Sequence, residues 1–277
     1  MYYHCTTPAN EQEKVYNRLI NLSRGNFVDL IRLDRLVVEK TGFSRDYAVE
    51  VIVGGSVSAG GKALVKPGMK VSAALEIEVA AQPMRYVSRG GYKLEHAIEA
   101  FEIDVEGSVC VDIGASVGGF TDCLLQNGAR FVAAVDCGSG QLAEKLRNDP
   151  RVAVYENMNI RNVDVETFIG GLAKVEEEGF DLVVIDVSFI SLTLVLPVAA
   201  SLLKQKGTLI CLVKPQFEVG KKGLNKTGIV TDERLRMAAV EKVKNAAMCN
   251  FQSLSHMQSP ITGRDGNVEY LLTGERQ

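Results

Sequence analysis

The sequence predicts an α/β protein, a parallel sheet covered by helices on both faces, with a small α+β module in front. Three observations carry that prediction. Short apolar runs recur at Val109–Ile113, Phe131–Val135, Val152–Tyr155, 182–185 and 208–213, with helical patterns between them. Runs this apolar suit strands buried on both faces. A glycine-rich turn, Asp112-Ile-Gly-Ala-Ser-Val-Gly-Gly-Phe-Thr121, joins the first run to a helix. Finally, 277 residues exceed what one compact unit usually needs, so two domains are expected.

Taken in order, residues 1–30 are an extension, polar at first, then helical over 15–22. A small basic module spans 31–81. Leu33, Leu36 and Val37 recur at helical spacing, and Thr41-Gly42 ends that helix. Ser44 caps a second helix carrying Ala48, Val49, Ile52 and Val53, which Gly54-Gly55 closes. Short β pieces follow, with turns at Gly60-Gly61 and Pro67-Gly68, ending in an alternating strand over 73–79. Gln82-Pro83 marks a linker, and 82–277 hold this linker and the larger unit. There, helices over 92–101, 116–128 and 142–147 alternate with the strands, and an antiparallel strand over 267–273 closes the sheet.

Charge limits the partners. A net charge of −3 excludes a bulk polycation. However, residues 101–200 hold 6 basic and 16 acidic side chains, while 204–236 hold 8 and 3. A local basic stretch leaves a nucleic-acid partner open. Six cysteines without a C-x-x-C pair, and three histidines, argue against a metal site or disulfide framework. The first residues show no leader pattern. The most apolar run, 190–203, is interrupted by Pro197 and too short for a bilayer. A soluble, cytoplasmic chain is expected.

The glycine turn is neither G-x-G-x-x-G nor a P-loop, which disfavours a dinucleotide and a simple phosphate cradle. Glycines 114, 118 and 119 let the backbone turn sharply beside a ligand. Asp112 lies at the end of the first strand. Asp136 ends the second, 22 residues beyond Gly114, where an acid can accept both hydroxyls of a ribose. Gly114-Ala-Ser116-Val-Gly118 also fits the nucleophile elbow of a hydrolase, with Asp186 and His256 as partners. No oxyanion loop precedes it, so Ser116 is read as a ligand-loop residue.

Two resemblances sharpen this reading. Residues 32–71, RLDRLVVEKTGFSRDYAVEVIVGGSVSAGGKALVKPGMKV, resemble the S4 RNA-binding domain. This implies RNA contacts from Arg32, Arg35, Arg45 and Lys62, although the module nets only +1. The glycine turn with its two acids resembles the S-adenosylmethionine site of Rossmann-like methyltransferases. That implies Asp112 for the methionine ammonium, Asp136 and Cys137 beside the ribose, and Asn159 and Ile160 at the adenine. Gly114, Ala115, Ser116, Gly118, Gly119, Phe120 and Thr121 would form the loop. Lys93 in SRGGYKLEHA, Asp186 in DLVVIDVSFIS, Lys214 in VKPQFE and Glu269 in NVEYLL resemble the K-D-K-E tetrad of FtsJ-type ribose 2′-O-methyltransferases.

With the S4-like module in front, residues 31–277 are similar to the TlyA, or haemolysin A, family. The resemblance implies S-adenosylmethionine as cofactor, no metal, and 2′-O-methylation of cytidine in ribosomal RNA or ribosomal subunits. Arg85 and Arg89 near the linker, and Lys221 and Lys222 in a glycine-punctuated basic loop, would add grip on phosphates. Two other classes compete with this reading: a catalytically silent RNA-binding protein, and a membrane-damaging haemolysin. Intact acids and lysines disfavour the first, and the lack of a spanning segment disfavours the second.

Overall fold

The computed structural model describes residues 29–43, 45–80, 84–175, 178–263 and 266–277. They divide into two compact units between Arg85 and Tyr86. The predicted helix over 15–22, the Ser44 cap and the Gln82-Pro83 linker lie outside the described residues.

The first unit holds β1 (Leu30–Arg32), α1 (Leu33–Thr41), α2 (Arg45–Val53), β2 (Val57–Ala59), β3 (Lys62–Ala63), β4 (Lys70–Ser72) and β5 (Glu78–Val79). α1 stops where expected. Gly42 adopts φ 72, and its N–H bonds the Val38 carbonyl. Leu33, Leu36 and Val37 of α1 meet Ala48 and Ile52 of α2 over Val57 and Val71. β1 pairs antiparallel with β4, and β2 lies between β3 and β5. Leu30 therefore belongs to this unit rather than to the extension. The alternating strand expected over 73–79 does not form as one piece. Ala73 N–H bonds the Asp29 carbonyl and Leu75 N–H bonds Ser72, so the chain turns. Leu75 and Ile77 still reach the core from that irregular path.

The second unit begins with α3 (Gly90–Ala100). β6 (Val109–Ile113), α4 (Gly119–Gln126), β7 (Phe131–Val135), α5 (Glu144–Arg147), β8 (Val152–Tyr155), α6 (Val165–Gly170) and β9 (Phe180–Ile185) follow. The chain continues through α7 (Leu196–Leu202), β10 (Leu203–Val213), α8 (Pro215–Glu218), α9 (Glu233–Ala247), β11 (Phe251–Gln258) and β12 (Tyr270–Arg276). The seven strands lie in the order β11-β12-β10-β9-β6-β7-β8. β8, β7, β6, β9 and β10 are parallel; β12 runs antiparallel to them, and β11, antiparallel to β12, shares their direction. Alternate residues serve opposite faces. Val109, Val111 and Ile113 pack with α6, α7 and α9, whereas Cys110, Val132, Ala134 and Leu182 pack with α3 and α4. From β6 the chain first builds outward through β7 and β8, then returns to place β9 on the other side. That reversal opens a crevice at the carboxyl ends of β6 and β9, the usual ligand position in such sheets.

Candidate active site

The crevice is built on one glycine. Gly114 has φ 89, and a Cβ there would lie 2.4 Å from the Asp186 carbonyl oxygen. Only glycine lets the ends of β6 and β9 approach so closely. Beneath it, Asp112 is fully buried. Its Oδ2 accepts hydrogen bonds from Thr121 N (2.9 Å) and Thr121 Oγ1 (2.6 Å), while Oδ1 has no hydrogen-bond partner among the described residues. Burial pushes the Asp112 carboxyl up to about 7; the Thr121 bonds oppose that shift and the Asp186 charge adds to it. An unpaired buried carboxylate oxygen is costly, and a cationic ligand group would satisfy it.

Asp136 ties the turn to the segment after β7. Its Oδ2 accepts from Ser116 N (2.8 Å) and its Oδ1 from Gly138 N (2.6 Å). Each oxygen retains a lone pair for a further donor. A small cavity beside it is lined by Ala115, Ser116, Gly138, Gln141 and Glu156, with Leu142 and Val154 as its apolar wall. Ser116, held at φ 49, donates its hydroxyl to Gln141 Oε1 at 3.1 Å. An acid-lined cavity with an apolar wall fits a cationic nucleoside such as S-adenosylmethionine.

Not every expected contact reaches this cavity. Gly118 lies against Leu142 and Leu146, and Gly119 against Ser88 and Gly91. Phe120 and Thr121 are buried. These four shape the turn by packing, and Thr121 acts through Asp112. Ile160 is packed into the opposite face of the sheet, and Asn159 caps a short turn by accepting from Arg161 N at 3.2 Å. Neither lines the cavity. Gln141 and Glu156, absent from the sequence reading, do. Glu156 accepts from Gly140 N (2.8 Å) and Arg147 Nη2 (2.6 Å). The signal was available: Glu156 follows the third strand directly, as Asp136 follows the second. Cys137 is exposed beside Asp136.

The four charged residues gather at the same sheet edge as two ion pairs. Lys93, near the start of α3, donates to Glu269 Oε2 at 2.5 Å, and both side chains are buried. Lys214 Nζ lies 2.7 Å from Asp186 Oδ1 and donates to Ser188 Oγ at 2.9 Å. The Asp186 contact is an ion pair by distance rather than a well-directed hydrogen bond. Register joins the pairs. Val213 faces Tyr270 across β10 and β12, so Lys214 and Glu269 occupy facing positions just beyond that ladder. Asp186 follows Ile185, which pairs with Cys211 and Ile113. Phe189, unnoticed in the sequence, sits next to these groups at φ 64, 91% exposed, its ring 5.2 Å from that of Phe217.

The hydrolase constellation does not assemble. His256 lies on β11, with β12, β10 and β9 between it and β6, roughly 19 Å at the usual strand spacing. In the first unit, Arg32 grips the buried Asp34 bidentately (2.9 and 2.8 Å), Arg45 lies 3.5 Å from the same carboxylate, and Arg35 pairs with Glu39. Lys62 is exposed, as are Arg85, Lys221 and Lys222, while Arg89 is half-buried. Among the described residues, no helix is long and apolar enough to cross a membrane, and no cluster of His, Cys, Asp or Glu is arranged for a metal.

Residues 86–276 match the model of the FtsJ-like methyltransferase family. A protein from Mycobacterium tuberculosis named 16S/23S rRNA (cytidine-2′-O)-methyltransferase TlyA is 46% identical over 231 residues, 83% of either chain. Hemolysin A of Brachyspira hyodysenteriae is 41% identical over 248 residues, 87% of this chain and 98% of its own. A solved structure from Streptococcus thermophilus, provisionally described as a hemolysin, superposes with a TM-score of 0.71 at 39% identity, covering 90% of both chains. Sequence, sheet order and the charged edge agree: this chain belongs to the FtsJ-like methyltransferase family, among its TlyA and hemolysin A members.

Proposed function

We propose that this chain methylates the 2′-hydroxyl of a ribose in ribosomal RNA, cytidine being the acceptor, in the cytoplasm. The observation that carries the proposal is the Asp186–Lys214 pair standing at the carboxyl edge beside Asp112. The Mycobacterium tuberculosis relative named above as a 16S/23S rRNA (cytidine-2′-O)-methyltransferase supports the acceptor class. S-adenosylmethionine supplies the methyl group from its sulfonium. Asp112 Oδ1 would hold its ammonium, and Asp136 its ribose hydroxyls, with Glu156 at the far wall of the cavity.

The residues then have distinct tasks. Lys214 orients the 2′-hydroxyl and, once it has given up its own ammonium proton to solvent, takes the hydroxyl proton as the oxygen attacks, while Asp186 holds Lys214 in place. Lys93 and Glu269 complete the charged frame around the acceptor ribose. The exposed basic side chains of the first unit, Arg32, Arg35, Arg45 and Lys62, hold structured RNA as an S4-type module, and Arg85, Arg89, Lys221 and Lys222 add phosphate contacts. The test is Lys214→Ala with tritiated S-adenosylmethionine and ribosomal subunits lacking the modification. Transfer should fall by ~100-fold or more while donor affinity stays within about twofold. Retained turnover would overturn the role assignment.

A further inference from the structure

We infer that Glu218 is a positioning residue for this transfer, latching the segment after β9 to the segment after β10 and so holding the Asp186–Lys214 pair in register. The inference rests on the catalytic reading of that pair. Glu218 ends α8, the single turn that begins directly after Lys214. Its side chain is only 1% exposed, yet its acceptors are filled from outside α8. Oε1 accepts from Leu192 N at 2.8 Å; Oε2 accepts from Ser191 Oγ at 2.6 Å and from Lys242 Nζ of α9 at 2.8 Å. Lys242 also donates to the Glu218 carbonyl at 3.1 Å. A buried carboxylate persists when its hydrogen bonds are made, and here they join three separate elements.

Two more contacts link the same two segments in the same direction. Lys214 meets Asp186 and Ser188, Phe217 meets Phe189, and Glu218 meets Ser191 and Leu192. Of these rungs, the Glu218 rung is the one anchored to a long helix, α9. It also fastens the far end of a loop in which Phe189 occupies the left-handed region, a conformation that surrounding structure must hold in place. Glu218 itself touches neither reacting group. Its effect passes through the loop to Ser188 and thence to Lys214, and a displacement near 1 Å at such a site can cost about 100-fold in rate.

The experiment uses the full chain with Glu218→Gln, Ser191→Ala and the double variant. The sequence has no tryptophan, so Phe189→Trp in each background reports on the loop alone. Glu218→Gln should lower single-turnover transfer to ribosomal subunits ~10- to 100-fold, with calorimetric affinity for S-adenosylmethionine within about twofold. Ser191→Ala should lose less, and the double variant no more than Glu218→Gln, because both act through one link. Tryptophan anisotropy should fall in each. Unchanged rate and anisotropy in folded Glu218→Gln would overturn the inference, as would donor affinity falling in step with rate. If Glu218→Gln does not fold, Ser191→Ala, which keeps the Lys242 pair, decides: unchanged anisotropy and rate refute the latch. Should the parent chain transfer no methyl at all, the catalytic reading fails, and anisotropy still tests the latch.

Discussion

Asp112 meets opposite demands. Folding buries it, which raises its carboxyl to about 7, whereas a cationic ligand requires it ionised. In the unfolded chain it ionises near 3.8, so between about 4 and 7 the native state binds the extra proton and stability falls as pH rises through that window. Asp112→Asn should flatten this decline and raise the melting temperature at pH 8 without ligand. The same variant should weaken S-adenosylmethionine by ~10-fold or more, since a hydrogen bond to a charged group contributes about 1.5–3 kcal/mol. Calorimetry near pH 8 and thermal melts across about pH 4–8, from the unfolded value of 3.8 to beyond the folded value of about 7, check both effects; a parallel decline in the variant melts would assign the pH dependence elsewhere. At this scale the sequence was informative about residue types and silent about geometry. Asp112, Asp136 and the four charged residues stood out by their strand ends. That one Asp112 oxygen would be occupied by Thr121, and the other left unpaired, follows only from how α4 folds back on β6. Phe189 carried no signal, because an exposed aromatic in a loop reads like any core residue until its surroundings are known.

At the level of elements, two glycines bring α3 against α4. A Cβ on Gly91 would sit 2.3 Å from the Tyr86 ring, and one on Gly119 would lie 2.1 Å from Ser88 Oγ and 3.0 Å from Gly91 N. Gly91→Ala must therefore push Tyr86 or the helix itself, at a cost of about 1–3 kcal/mol. For a unit of this size that lowers the melting temperature by several degrees, about 2–4 °C per kcal/mol. Lys93 rides on α3, so transfer should fall further than donor binding; equal losses in the two would show that α3 does not set the acceptor side. Strand legibility tracked burial. β6 and β7 were bounded to the residue because apolar runs buried on two faces leave no ambiguity, and the half-buried edge strand β8 was bounded by its apolar run alone. β11 was missed because Phe251–Gln258 mixes Gln, Ser and His on an edge and is bulged between Gln252 and Ser255. The strand over 73–79 was overread because Leu75, Ile77 and Val79 alternate in sequence, yet only Val79 lies on a strand, β5, while Leu75 and Ile77 reach the core from the irregular path before it.

For the molecule as a whole, the division after Arg85 gives each unit its own core. Residues 86–277 alone should fold and bind S-adenosylmethionine with affinity close to that of the full chain, and lose most affinity for ribosomal RNA. Full-chain RNA affinity should drop steeply with salt, the log slope tracking the phosphates contacted, and the truncated form should show a shallower slope. Filter binding over a salt series distinguishes this from an RNA grip confined to the methyltransferase unit, which would leave the slope unchanged.

Lys93 and Glu269 lie 176 residues apart, on the first helix and directly before the last strand of their unit. A partly assembled or clipped molecule that lacks that strand retains β6, β7 and their aspartates, so it would capture donor without discharging it. Under the proposed roles, the frame around the acceptor ribose therefore closes only once the last strand is in place.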